Sequence, residues 1–150
     1  MLLYALGFTV VSVSKIAFGW TDELAYRRNR RKFIAEIDRD FSELFAEHNG
    51  RVVPHEGENL PRAFDYVSVT VEIEEIRLRF TRGRGELRVQ VAPASDVQGW
   101  MDLSILWPRI ATPESGRPPS PYDELGEVAE RLKARWTQLV DTVSTESSEP

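Results

Sequence analysis

His55-Glu56-Gly57-Glu58 is the one stretch of this 150-residue chain in which an imidazole and two carboxylates fall within four positions. Such a group could ligate a cation or trade a proton, because neutral imidazole and carboxylate oxygens are metal donors and histidine titrates near neutrality. Nothing in the sequence extends it. The other histidine is His48, no second ligand pair stands at helical spacing, and with no cysteine there is no thiolate nucleophile or ligand and no disulfide. G-x-S-x-G, H-E-x-x-H and P-loop patterns are absent, and TRGRGE lacks the spacing of a dinucleotide-binding glycine motif. Asp65, Glu72, Glu74 and Glu75 do not make a catalytic carboxylate pair, since strand alternation sends Glu74 and Glu75 to opposite sides. Trp100 and Trp107 read as core anchors. The expectation is no catalytic residue, no cofactor and no metal, and therefore a non-enzyme; an enzyme assembled from distant polar residues is the alternative.

The densest charge is RRNRRK, with Arg27, Arg28, Arg30, Arg31 and Lys32 in six positions of a chain whose formal net charge is −5. At about 100° per residue these cations wrap a helix instead of lining one side of it. One reading is a solvated helical turn with partial pairing, such as Lys32 with Glu36 and Arg39 with Glu43. Another is a membrane-proximal anchor, and the third, nucleic acid, is disfavoured by the flanking acids, the lack of interleaved aromatics and an overall pI near 5.2.

The membrane reading depends on the preceding run, MLLYALGFTVVSVSKIAFGW, residues 1–20. It does not make a secretory signal, because no cation precedes the apolar stretch and no clean small-residue cleavage site follows. As a span it reaches about 30 Å, enough for the hydrocarbon core, with Tyr4 and Trp20 near the two interfaces and the arginines holding the rest on the cytoplasmic side. Lys15 and the embedded serines and glycines dilute it. FTVVSVSKI reads instead as a β-rich, packed segment, and this reading is preferred to the span.

Elements follow from periodicity. A length of 150 residues with 41% hydrophobic and 29% charged composition suits one domain that buries roughly two thirds of its unfolded surface. A long helix is predicted from Thr21, its N-cap, to a stop at Gly50, with Phe33, Ile34, Ile37, Phe41, Leu44, Phe45 and His48 on its buried stripe. In YVSVTVEIEEIRLRF, Val67, Val69, Val71 and Ile73 alternate with polar residues, and the phase then flips to Ile76, Leu78 and Phe80. That flip requires a tight turn or bulge at Glu74 and Glu75. Gly83 and Gly85 supply the next turn, and Leu87, Val89 and Val91 continue the alternation. The opposite face, with Glu72, Glu74, Arg77, Arg79, Arg88 and Gln90, is either wet or a partner surface. A short helix near Asp102 to Trp107, ended or kinked by Pro108, and a C-terminal helix opened by Ser120-Pro121 and running to Val143 complete the list. The predicted fold is α+β, a three-stranded antiparallel β-meander covered by a long N-terminal helix and a C-terminal helix. Residues 1–20 form a separate segment, 21–143 the domain, and 144–150 a disordered tail.

LRFTRGRGELRVQVAP followed by GWMDL, Leu78 to Leu103, resembles a pattern of small bacterial proteins of the immunity-protein type: a strand ending in arginine, an R-x-R-G turn, an alternating strand, and a tryptophan opening a short helix. The apolar opening departs from that pattern. The resemblance implies a stand-alone, non-enzymatic domain. Together with the missing chemistry, it gives the functional expectation: a cytoplasmic module that binds a partner protein through Arg27, Arg28, Arg30, Arg31, Lys32, Glu72, Glu74, Arg77, Arg79, Arg82, Arg84 and Arg88. The alternative is a domain anchored to the inner membrane by residues 1–20 and the Arg27–Lys32 cluster.

Overall fold

Two rows of apolar side chains organise the sheet, because three consecutive strands carry their branched and aromatic residues in matched alternation. Strand β2 (Val67–Ile73), β3 (Ile76–Gly83) and β4 (Glu86–Pro93) pair antiparallel, so that Val69, Phe80 and Val89 form one cross-strand row and Val71, Leu78 and Val91 the next. Five of these six are fully buried and Val89 is nearly so. The computed structural model describes residues 23–54, 66–96, 98–112 and 116–146. Two edge strands of two residues each, β1 (Arg51–Val52) and β5 (Met101–Asp102), extend the meander to five strands in the order β1-β2-β3-β4-β5. The expected three strands are thus the middle of a five-stranded sheet. The added pieces were too short to show periodicity.

Both turns confirm the phase argument and correct its details. Glu74 and Glu75 form the β2–β3 turn, with Glu74 at φ 53°. In the β3–β4 turn the positive φ values belong to Arg84 (52°) and Gly85 (79°), not to Gly83. Two successive left-handed residues match the twist of a two-residue hairpin.

The N-terminal helix is helical over 23–40 (α1), relaxes at Phe41 (φ −100°, ψ 8°) and continues as α2 (Ser42–His48). Hydrogen bonds from Phe41 N to Ile37 O and from Phe45 N to Phe41 O, both 2.9 Å, carry the helix across that break. Its stop is Asn49 in the left-handed conformation, one residue before the expected Gly50. Phe33, Ile37, Phe41 and Leu44 are buried, and Phe41 meets Phe80 edge-on at 5.0 Å between ring centres.

Helix α3 (Leu103–Ile110) begins at Asp102, whose carboxylate accepts from the Ser104 N–H, and it runs two residues past Pro108. The C-terminal helix is divided into α4 (Leu125–Ala134) and α5 (Trp136–Glu146), with Arg135 at the junction. Ser120-Pro121 does not open it: these residues belong to a turn closed by Asp123 N–H to Ser120 O, and the N-cap is Glu124. The stripe itself is as expected, with Leu125, Val128, Ala129, Leu132, Trp136, Leu139 and Val143 buried. Helix α5 reaches Glu146, and the rest of the expected tail, 147–150, lies outside the described residues. All helices share one core with the apolar sheet face. The chain is therefore α+β with an antiparallel sheet. Residues 1–20 lie outside the described residues, and among the described residues no helix is long and apolar enough to cross a membrane.

An L-residue in the left-handed region costs about 1 kcal/mol, and asparagine tolerates it best after glycine. Arg84→Asn, which creates Asn-Gly in the β3–β4 turn, is therefore expected to raise stability by up to about 1 kcal/mol. A urea midpoint that rises with an unchanged slope checks this.

Candidate functional site

A cleft of about 780 Å³ lies between α1, the β3–β4 turn and the segment leading into α4. Its position follows from pairing at the sheet edge. Leu87 N–H donates to Pro121 O at 2.7 Å, which pins the proline-rich connector to the outer edge of β4 and sets Tyr122, Asp123 and Glu124 opposite α1. Across the floor, Arg82 Nη1 of β3 meets Glu36 Oε2 of α1 at 2.5 Å, and the same guanidinium lies 4.3 Å from the centre of the Phe33 ring. Lys32, Arg39 and Arg84 add positive charge to the walls, and Asp40, Glu86 and Glu124 add negative charge. Arg39 Nε holds Asp40 Oδ1 at 2.7 Å. Tyr122 is 75% exposed and its hydroxyl stands 3.4 Å from Glu86 Oε1.

Beneath this wall sits the most buried carboxylate among the described residues. Asp123, its side chain only 3% exposed, takes Arg117 Nη2 at 2.5 Å and Nη1 at 3.1 Å, Arg131 Nη1 at 3.0 Å and the Ser120 N–H at 2.8 Å. The Arg117 hydrogen bonds hold the carboxyl below its usual range against the opposing effect of burial, with Ser120 and Arg131 adding to the shift. Arg131 comes from α4, so one carboxylate ties the connector to the helix it precedes. This is a positioning device for the cleft wall.

The polar sheet face is largely occupied by its own pairs. Glu72 accepts from Arg51 at 2.6 Å and from Arg77 at 3.0 Å, and these partners lower its pKa against a smaller burial effect, Arg51 contributing most. Arg88 Nε meets Asp102 at 2.8 Å. Burial raises the Asp102 carboxyl, but hydrogen bonds from Ser104 and Arg88 outweigh it and the net shift is downward. Arg79 lies 3.9 Å from the centre of the Trp100 ring. Ser68 and Thr70, in the middle of this face, are buried, so its centre is not open to water.

The proposed interaction residues thus separate into groups. Arg82 and Arg84 meet in the cleft; Glu72, Arg77, Arg79 and Arg88 lie on the polar face in local contacts; Glu74 leaves that face for its turn, where its carboxylate is 2.8 Å from His48 Nδ1. His48 also stacks near Trp136, 5.5 Å between ring centres, which gives it a packing role at the end of α2. Arg27 pairs with Glu23 at 2.9 Å, Arg30 is half-buried, and Arg28, Arg31 and Lys32 are exposed. The sequence reading missed Tyr122, Asp123, Arg117 and Arg131. Their region read as linker, and its one signal was an acid three residues after Ser120, the spacing of a turn that closes on its own backbone. His55-Glu56-Gly57-Glu58 lies outside the described residues, and among those described no group of three metal-capable side chains gathers. Comparison of the chain with family models, with curated proteins and with solved structures returns no match.

A carboxyl whose pKa is depressed on folding contributes stability above its unfolded pKa, and that contribution is lost as pH falls through the folded value. Asp123→Asn is accordingly expected to cost roughly 1–3 kcal/mol at neutral pH. The deficit relative to wild type should begin to narrow as pH drops below about 4, where the unfolded carboxyl takes up its proton, and should close only at lower pH, once the folded carboxyl with its depressed pKa is protonated as well. Denaturation midpoints of both proteins across that range test it.

Proposed function

We propose that this chain is a non-enzymatic binding module whose partner is a protein, and that the cleft between α1 and the β3–β4 turn is where the partner docks. The observation that carries this reading is the make-up of the cleft. Arg39, Arg82, Arg84 and the exposed Tyr122 converge there on a floor that includes Phe33. Arginine and tyrosine are enriched at the energetic centres of protein interfaces, since each combines a large flat contact surface with a polar tip. The Arg82–Glu36 and Asp123 pairings hold the walls before any partner arrives, which lowers the ordering cost of association.

The partner's chemistry follows from charge. Both signs line the cleft, so register along it would be set by paired contacts, and the net charge of −5 favours encounter with a basic partner. A cytoplasmic, immunity-type role, in which a small acidic domain occupies a basic protein, is consistent with this reading.

Affinity capture on the immobilised full chain is expected to recover a partner at low salt and to lose it at high salt. Tyr122→Ala should weaken capture on the order of tenfold without lowering stability, because that side chain is 75% exposed. Recovery of no protein at low salt, or equal capture by wild type and variant, would reject the assignment.

A further inference from the structure

The arginine cluster is divided by the fold. Arg27 is held by Glu23, and Arg30 turns toward the buried stripe, where its Nε and Nη2 are shielded from solvent. The remaining three do share a face. Leu24 and Arg28, Arg28 and either Arg31 or Lys32, and either of these and Ala35 stand three or four residues apart, and all five are exposed. Leu24 is 65% exposed, one of few large apolar side chains so placed. Arg28, Arg31 and Lys32 have no ion-pair partner among the described residues. The sequence expectation that Lys32 pairs with Glu36 fails, because Glu36 is taken by Arg82.

The stripe is also bounded. Asp38 and Arg39 make its continuation mixed, Arg39 being tied to Asp40, and the acids Glu43 and Glu47 follow on α2. Among the described residues, the cations of α1 that lack an ion pair are thus gathered toward its N-terminal half. The chain enters that half directly from the apolar run that ends at Trp20. An exposed leucine in line with three unpaired cations is the chemistry of a surface that meets a headgroup layer: the leucine enters the acyl boundary while the cations stay with the phosphates.

We propose that the exposed face of α1 formed by Leu24, Arg28, Arg31 and Lys32 is a peripheral docking surface for an anionic lipid bilayer. It stands apart from the protein-binding cleft, whose lining it touches only at Lys32. The contact is electrostatic and reversible, because three cations and one leucine fall short of stable anchoring. Duplex nucleic acid fits less well, since the patch offers one short stripe with acids at its end and no exposed ring for stacking.

The test is sedimentation of the full chain with vesicles of phosphatidylcholine alone or mixed with phosphatidylserine. Binding to the mixed vesicles at about 0.1 M salt and release at about 1 M, where the Debye length falls from roughly 10 to 3 Å, is the expected result. Arg28→Gln with Arg31→Gln, neither of which lines the cleft, should weaken binding on the order of thirtyfold, at about one kcal/mol per cation. A charge-matched control, Arg51→Gln with Arg88→Gln on the polar sheet face, should bind as wild type. Equal binding to neutral and anionic vesicles would assign the affinity to the apolar opening and overturn the proposal. Equal losses from the two double variants would reduce it to net charge, and oligonucleotide binding that anionic vesicles do not compete would give the stripe to nucleic acid.

Discussion

Strand β3 is the constraint on which the rest of the molecule depends. It is hydrogen-bonded along both edges, and Ile76, Leu78 and Phe80 are wholly withdrawn from water. Each such side chain contributes about 1.5–3 kcal/mol by leaving water, so a one-residue slip of β3 would expose all three and bury arginines in their place. Register is therefore fixed strongly from the inside. The two turns have to comply, and they do so at the cost of left-handed residues at Glu74 and Arg84.

Fixing β3 fixes the alternate side chains too, and with them the polar chemistry. Arg77, Arg79 and Thr81 must face away from the core, while Arg82, near the end of the strand, projects to the rim beside α1. Magnitude separates the pairs that matter for shape from those that decorate. Arg82–Glu36, with both side chains more than a third exposed, is screened and worth at most a fraction of a kcal/mol, so its role is alignment. The Asp123 carboxylate is withdrawn from solvent and multiply hydrogen-bonded, so removing its arginine partners would leave a buried charge uncompensated, while Arg117 itself stays more than half in water. The connector after α3, which looks like a linker, is thus the wall most firmly tied down.

Period-two and period-3.6 patterns made the three long strands and the helical stripes legible in the sequence, because buried faces leave a repeating trace. The turn at Glu74-Glu75 was legible for the same reason, as a phase error. What escaped was what has no period. Strands β1 and β5 are two residues long and exist only because β2 and β4 offer them backbone groups. Pro121 was read as the first residue of a helix, when its carbonyl is instead drawn to Leu87 and displaces the helix start to Leu125. The cleft was invisible on the same grounds, since Lys32, Arg82 and Tyr122 belong to three elements that only tertiary packing brings together. The cations of Arg27 to Lys32 were visible as composition, yet their division into one paired, one half-buried and three exposed depended on which side of α1 the sheet claims.

That division explains how a chain of net charge −5 can carry an uncompensated basic face. At physiological salt the Debye length is about 8 Å, whereas Glu43 and Glu47 of α2 lie roughly 16 Å or more beyond Lys32 along the helix, so they cancel little of the potential at the basic face. Local sign, not the total, governs what each surface meets. Burial of Phe33 and Ile37 holds one side of α1 against the core and leaves Arg28, Arg31 and Lys32 outside the ion pairs formed among the described residues. The packing that stabilises the domain is therefore what keeps those cations unsatisfied, and a mutation that rotated α1 by one residue step, about 100°, would erase the basic face and the cleft wall together.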